Sequence, residues 1–464
     1  MTRFTLAEHQ QYALEMMEVN PSLMLAYEAG TGKTAIALSW ILKQLKIGRI
    51  KDALVICPAS LVTNWKDSID KMIMFEGVTE DDVKLLHKAV KLTSFQKTYR
   101  TSKVPVSKSG DRVTFKRVIT IREPVDRLWG AIFIDESHCI GSHSSVQTKT
   151  ALALSKHTKF RYLLTGTPVS GGGGAEDFSK LYSQLKFLDP AFCNTWTQFM
   201  NEYVTAVDRW YKPCAYDVKK CRQALADHAI VARLEDCFDM PERTDTVITC
   251  PLEETKVYKD MYNGNTSQYN IEIKTAGGQY LKMLQVCSGS LKCDVGKTLK
   301  LKTSKDAILE DIVMGTDDKV VVFCNYRASV DRVAEILKKF GKTEVYDGRS
   351  QTPTWKRFQN GDSKYLVCQY QSGGTGIDLY ASHTMVLFEP CMSSLLLTQS
   401  LARIFRKGQT NHCTYYYLST PKSVESKAWD SVRGGVDVTE AMMLSWSGGD
   451  ILGELGDRKT MDDW

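Results

Sequence analysis

The 464-residue chain lacks any apolar run near the roughly 18 residues that a membrane-spanning helix requires. Its most aliphatic stretches, Ala131–Ile134 and Val320–Phe323, are four residues long, and Met1–Thr5 has no apolar core of the kind a secretory signal needs. An intracellular, cytoplasmic protein is the expectation. Paired cysteines are also missing: the thirteen are scattered, odd in number and form no C-x-x-C. With only eight dispersed histidines, this excludes a disulfide framework and argues against structural zinc, leaving reduced, mostly buried thiols. Nor is there the charge excess or apolar poverty of a disordered chain, since 43% of residues are hydrophobic, 25% are charged and the net charge is +6. The length leaves room for two or three folding units.

The small net charge is unevenly placed. Residues 1–240 hold 32 basic and 26 acidic side chains, so the remainder is neutral. Residues 84–127 alone carry twelve basic and three acidic groups, which fits either a solvated face or a footprint for a polyanion. Short β-branched runs alternate with helical periodicity in two series, Leu54–Ile56, Ala131–Ile134 and Tyr162–Leu164, then Val320–Phe323, Tyr365–Cys368 and Met385–Phe388. That pattern predicts two α/β domains with parallel sheets, residues 1–240 and 241–464, meeting near Met240-Pro241. Residues 98–124 read as a basic β-hairpin insert with its turn at Ser107–Arg112 and with Lys108, Arg112, Lys116 and Arg117 on it. Gly171–Gly174 reads as a loop, and residues 431–464 as a helix followed by a tail with no chemistry to assign.

Three local patterns carry chemistry. Gly30-Thr31-Gly32-Lys33-Thr34 follows the apolar Leu23–Ala26 and opens the helical pattern Ala35–Leu45, the strand, loop and helix order of a phosphate cradle. Glycines admit backbone N–H groups to phosphate, Lys33 reaches the β and γ oxygens, and Thr34 offers a hydroxyl to Mg²⁺. Tyr27 stands where the full G-x-x-x-x-G-K-T pattern has its first glycine. Asp135-Glu136 directly follows the strand Ala131–Ile134, which suits Asp135 to hold Mg²⁺ and Glu136 to polarise an attacking water; alone, the pair also fits a solvated turn. Arg403 and Arg406 are three residues apart, a spacing that on a helix turns both guanidinium groups to one side, toward developing phosphate charge or toward solvent.

Together these segments resemble helicase superfamily 2, and further ones resemble its Snf-type DNA-dependent ATPases and translocases. Leu6–Gln10 is similar to the segment whose glutamine reads adenine, which makes Gln10 the candidate, and Glu28-Ala29-Gly30-Thr31-Gly32-Lys33-Thr34 resembles motif I, with Tyr27 in place of its usual acid. Cys57–Trp65 resembles motif Ia, Leu92–Phe95 motif Ib, Asp135–His138 motif II and Leu164–Pro168 motif III. Ser372–Leu379 is similar to motif V and Gln399–Gln409 to motif VI. The likeness runs from about residue 6 to 430, but the four-glycine run replaces a polar segment after motif III, and residues 190–300 are too few for the large helical protrusions of chromatin remodellers.

The resemblance implies two RecA-like domains with an ATP cleft between them and ATP and Mg²⁺ as cofactors. It implies further nucleotide contacts from Gly376, Asp378 and Gln399, and coupling through Thr165, Gly166 and Thr167. DNA contacts are implied at Ser60, Asn64, Trp65, Thr93, Ser94, Ser372, Gly373, Gly374 and Thr375, with the basic hairpin adding its own. The expected protein is a monomeric helicase or translocase that remodels forked or branched DNA, like compact phage and bacterial branch-migration enzymes. Two alternatives stay open: a duplex translocase that displaces bound proteins without separating strands, and an RNA helicase.

Overall fold

The computed structural model describes residues 3–109, 112–122, 125–169, 178–207, 211–350, 352–374 and 376–438. The chain divides into two compact units with the break between Asp239 and Met240. The strands of the first are β1 (Ser22–Tyr27), β2 (Ala53–Cys57), β3 (Val90–Ser94), β4 (Tyr99–Ser109), β5 (Arg112–Ile121), β6 (Ala131–Asp135), β7 (Phe160–Thr165), β8 (Val204–Val207), β9 (Pro213–Tyr216) and β10 (Ala229–Ala232). Those of the second are β11 (Arg243–Thr249), β12 (Ser290–Lys292), β13 (Thr298–Lys300), β14 (Val320–Cys324), β15 (Thr343–Tyr346), β16 (Tyr365–Gln369), β17 (Thr384–Leu387) and β18 (Cys413–Ser419).

Each unit is built on one six-stranded sheet, ordered β10-β1-β7-β6-β2-β3 in the first and β11-β18-β17-β14-β16-β15 in the second. Every neighbouring pair in both sheets is parallel. Parallel neighbours need crossovers, and helices supply them on both faces, so the central strands are buried along nearly their whole length rather than at alternate positions. Successive side chains still point to opposite faces. In the first unit Val55 and Phe133 enter one core while Leu54, Ile56, Ile132 and Ile134 enter the other. In the second, Val321 and Phe323 pack on one side of β14 and Val320, Val322 and Cys324 on the other. These are the two parallel α/β domains that the sequence predicts.

The hairpin is present as β4 paired antiparallel with β5, from Tyr99 opposite Ile121 to Ser109 opposite Arg112, with an irregularity between Pro105 and Ser107. Two smaller antiparallel ribbons, β8–β9 and β12–β13, were not legible in the sequence. None of the thirteen cysteines is in a disulfide. Among the described residues no helix is long and apolar enough to cross a membrane, and no cluster of three or more His, Cys, Asp or Glu could hold a metal ion.

Candidate active site

The glycine loop leaves β1 at Tyr27 and enters the helix Lys33–Lys46. Gly30 and Gly32 sit at φ +92° and +91°, the left-handed region where a β-carbon is strained. Gly32 is doubly required, because an added Cβ would lie 2.2 Å from Gln10 Nε2. Thr31 Oγ1 closes the turn by donating to Glu28 O at 2.7 Å, and Lys33 Nζ donates to Tyr27 O at 2.5 Å and Glu28 O at 3.0 Å. The first turn of the helix carries no acidic residue, so its N-terminal partial charge is left for an anion. Glu28 is exposed, yet its Oε2 accepts from Leu234 N at 2.8 Å, while Ala29 and Thr34 continue the loop into the helix.

Gln10 is buried against this loop. Its Oε1 accepts from Ala7 N and its Nε2 donates to Thr31 O, both at 3.0 Å. One Nε2 hydrogen is left for another partner. His9 joins from the same helix, with Nε2 2.9 Å from Thr31 O and its carbonyl accepting from the Tyr27 hydroxyl at 3.0 Å. Tyr27, at the departure from the motif, thus anchors the Gln10 helix to β1.

Two strands away β6 ends in Asp135. The side chain is 7% exposed, Oδ2 accepts from Trp65 Nε1 at 2.8 Å, and Oδ1 accepts from Glu136 N at 3.0 Å. Burial first, and then the charge of Glu136, push its carboxyl up to about 6, against the pull of Trp65 and Lys33. Glu136 occupies φ +53°, an uncommon conformation for a residue with a side chain, and it opens the short turn Ser137–Ile140. His138 Nδ1 lies 3.3 Å from Glu136 Oε2. Burial alone would lower the His138 imidazole, but the neighbouring Cys139 and Glu136 side chains outweigh it and raise it to about 9.

The third loop, after β7, packs on the first. Thr165 is buried with Oγ1 accepting from Thr167 N at 3.1 Å, and a Cβ on Gly166 would stand 3.5 Å from both Ala29 N and Tyr27 O. Sequence reasoning missed the residue that joins this loop to the acidic one. Gln184, fully buried in the helix Leu181–Leu188, accepts from Ser137 Oγ at 2.6 Å and donates to Pro168 O at 2.9 Å. The available signal was a glutamine between buried Leu181, Leu185 and Leu188.

In the second unit the spacing argument needs correction. The helix that would carry both arginines is Ser394–Leu401 and stops before them, so Arg403 and Arg406 stand on the turns that follow. They converge nonetheless, because Nη1 of each donates to Ile377 O at 3.1 Å. Arg403 is 5% exposed and also donates from Nε to Gln399 O at 2.7 Å; Arg406 pairs with the half-exposed Asp378. Gln399 is buried, and Gly376 sits at φ +74° just before Ile377. The two arginines, Asp378 and Gln399 therefore form one cluster within this unit.

Several expected DNA contacts do not fit their surroundings. Trp65 is 1% exposed and spends its indole N–H on Asp135, while Thr93 and Ser94 are buried at the end of β3. Gly373 is packed where a Cβ would meet Phe323 and Cys368 at 2.8 Å, and one on Gly374 would meet Tyr370 O at 2.7 Å, so packing accounts for both glycines. Ser60 is exposed, and Asn64 and Ser372 are partly exposed. The side chains of Lys108, Arg112, Lys116 and Arg117, together with Thr375, Gly171–Gly174 and residues 439–464, lie outside the described residues. The basic run itself divides: Lys88, Lys91 and Arg127 leave the hairpin and join Lys51 and Lys66 around a cavity of about 690 Å³ beside Trp129.

The SNF2-related domain family matches residues 8–297, and the helicase conserved C-terminal domain matches residues 304–408. Among curated proteins the chain is similar to the DNA repair protein rhp54 of Schizosaccharomyces pombe, at 25% identity over 87% of this chain and 53% of the relative. It is also similar to the DNA repair and recombination protein RAD54-like of Drosophila grimshawi, at 22% identity over 87% and 58%. The chain spans about half the length of the curated relatives it matches. Among solved structures it aligns with the Sulfolobus solfataricus SWI2/SNF2 ATPase core in complex with dsDNA, at 20% identity and TM-score 0.41 over 93% of this chain and 91% of that one. With the SNF2-related domain matched over more than half of its length, the chain belongs to the SNF2-related family.

Proposed function

We propose that this chain is a DNA-dependent ATPase that translocates on DNA and remodels forked or branched substrates. One observation carries the reading: the glycine loop after β1, the acid pair after β6 and the Thr165–Pro168 loop after β7 meet at the same end of neighbouring parallel strands, where α/β sheets bind ligands. The residues fit a magnesium nucleotide. Gly30 and Gly32 give the loop the positive φ that turns backbone N–H groups toward a phosphate, and Asp135 is a buried carboxyl that a cation would draw into its ionised form. When bound, Mg²⁺ supplies charge stabilisation to the phosphates of ATP.

The remaining work falls to side chains. Lys33 leaves the carbonyls of Tyr27 and Glu28 for phosphate oxygens, a short swing within the same loop. Glu136, turned out of helical geometry at φ +53°, orients the attacking water. Arg403 and Arg406 are the groups suited to stabilise the charge that spreads over the transferred phosphoryl group, and for Arg406 this needs release from Asp378. Hydrolysis is coupled to stepping of the backbone-binding residues, the exposed Ser60 and the partly exposed Asn64 and Ser372 among them, along one strand. Phosphate contacts of this kind are independent of sequence and sensitive to salt.

The hairpin supports the branched-DNA reading. Its strands of 11 and 10 residues reach about 30 Å at roughly 3.3 Å per residue, enough to cross a duplex. The test is steady-state ATP turnover with single-stranded, duplex, forked and four-way DNA, set beside strand displacement, for the native chain and for a deletion of residues 101–122. The expected outcome is stimulation by duplex and branched DNA, with the deletion abolishing strand displacement while keeping most ATP turnover. Equal loss of both activities would remove the hairpin's special role. Turnover stimulated by RNA in preference to DNA would favour the helicase of the other nucleic acid.

A further inference from the structure

Gln184 lies outside every segment assigned above, yet it touches two of them. The side chain is completely buried, as is Ser137, the residue that follows Glu136. Gln184 Nε2 lies 2.9 Å from Pro168 O and 3.2 Å from Lys180 O, and both of these carbonyls can only accept. That fixes the amide: the nitrogen faces the carbonyls, Oε1 faces Ser137, and the Ser137 hydroxyl must be the donor at 2.6 Å. Ser137 Oγ, Gln184 and Pro168 O therefore form a directed chain from the acidic loop to the Thr165–Pro168 loop. No other orientation satisfies all of its members.

The location matters because Glu136 is held in a left-handed conformation that its own side chain does not favour, and such a backbone persists only when its neighbours over-determine it. Its carbonyl accepts from Cys139 N at 2.9 Å, and Thr148 Oγ1 ties Ile140 O at 2.7 Å. The Ser137 hydroxyl adds a side-chain tie at the residue next to Glu136. At the far end of the chain Pro168 closes a loop whose Gly166 lies against Ala29 and Tyr27 of the glycine loop. Movement of either loop is thus felt by the other through one amide.

We propose that Gln184 is a positioning residue for ATP hydrolysis, acting through Ser137 to hold the Glu136 carboxylate in register with the Thr165–Pro168 loop. The proposal rests on the ATPase reading given above. A misplacement of about 1 Å in a reacting group can cost roughly 100-fold in rate, so loss of this tie falls on turnover and spares nucleotide binding, which the glycine loop provides.

The experiment compares the full chain with Gln184→Leu, which keeps volume and removes every hydrogen bond, with Ser137→Ala, and with the double variant. Four quantities are read for each: ATP turnover with and without saturating duplex DNA, affinity for a fluorescent ATP analogue, and Tm. Expected is a drop of roughly 10-fold to 100-fold in DNA-saturated turnover for each single variant. Nucleotide affinity should stay within about 2-fold, the ratio of DNA-stimulated to basal turnover should fall, and the double variant should lose no more than the worse single one, as for members of one network. Unchanged turnover in the single variants, or losses that multiply in the double one, would overturn the proposal, and so would a rate loss matched by an equal loss of nucleotide affinity. Should Gln184→Leu fail to fold, Ser137→Ala carries the same comparison. Absence of ATP turnover in the unmodified chain would instead refute the ATPase reading itself, and would be seen before any variant is compared.

Discussion

In the first unit the groups proposed to handle ATP follow their strands directly: Tyr27 leads into the glycine loop, and Asp135 is itself the last residue of β6. Their backbone is held in left-handed conformations at Gly30, Gly32 and Glu136, and buried partners, Gln10, Trp65 and Gln184, hold them from behind. In the second unit Arg403 and Arg406 stand beyond a helix end, share a single carbonyl, Ile377 O, and keep Arg406 in an ion pair with a half-exposed Asp378. The first arrangement is held throughout, whereas in the second Arg403 is buried on Gln399 O and Ile377 O and Arg406 is the side chain placed to let go. The Arg406 and Asp378 side chains are 19% and 44% exposed, so water already reaches the pair and a phosphate can compete for Arg406, whereas a buried carboxylate deprived of its donor loses more.

The sharpest way to break the contrast is to remove what lets go. Arg403→Ala and Arg406→Ala are each expected to lower ATP turnover by about 1000-fold or more, the scale of a transition-state arginine, while the first unit still binds ATP. Parallel titration with a fluorescent analogue checks this, and a matching loss of affinity would mean that the arginines serve ground-state binding instead.

Removing a partner that stays should act differently. Trp65→Phe leaves Asp135 buried without its indole donor, a charge-assisted bond worth about 1.5–3 kcal/mol. Tm should fall, and because Trp65 favours the ionised carboxyl, Asp135 should move further above 6, shifting the acid limb of the ATPase pH profile upward. An unmoved acid limb would show that Asp135 does not set it.

The smallest effect concerns His138. Its imidazole is raised to about 9 in the folded chain, so the native state binds the proton more tightly than the unfolded one. The stabilisation is fully present below the ordinary value near 6.5 and is lost as pH rises through 9. Tm measured from pH 6.5 to 9.5 should decline more steeply in the native chain than in His138→Gln; identical slopes would dissociate the His138–Glu136 contact from stability.

How much of this was legible depended on range along the chain. β1, β2, β6, β7, β14, β16 and β17 were readable because strands buried on both faces are continuous aliphatic runs. The edge strand β10, from Ala229 to Ala232 with Val231 exposed and the other three half-buried, has no such signature. The glycine loop, the acid pair and the hairpin were legible because each is one continuous stretch of chain with a local signal. What escaped is non-local. Trp65 reads as a surface contact until its partner, 70 positions on, is seen to be Asp135. Gln184 reads as an interruption of an apolar helix until Ser137 and Pro168 are placed on either side of it. Type and spacing single out the arginine pair but not its backbone: the helix ends at Leu401, and the turns after it bring both guanidinium groups to Ile377 O.

The central claim, that the loop around Lys33 is the seat of DNA-dependent ATP turnover, is tested most directly by measuring steady-state ATP hydrolysis of the full chain and of Lys33→Ala, with and without duplex DNA at low salt. The expected result is a rate in the unmodified chain that duplex DNA raises severalfold and that Lys33→Ala abolishes under both conditions. Full turnover in Lys33→Ala, or a rate in the unmodified chain indifferent to DNA, would contradict it.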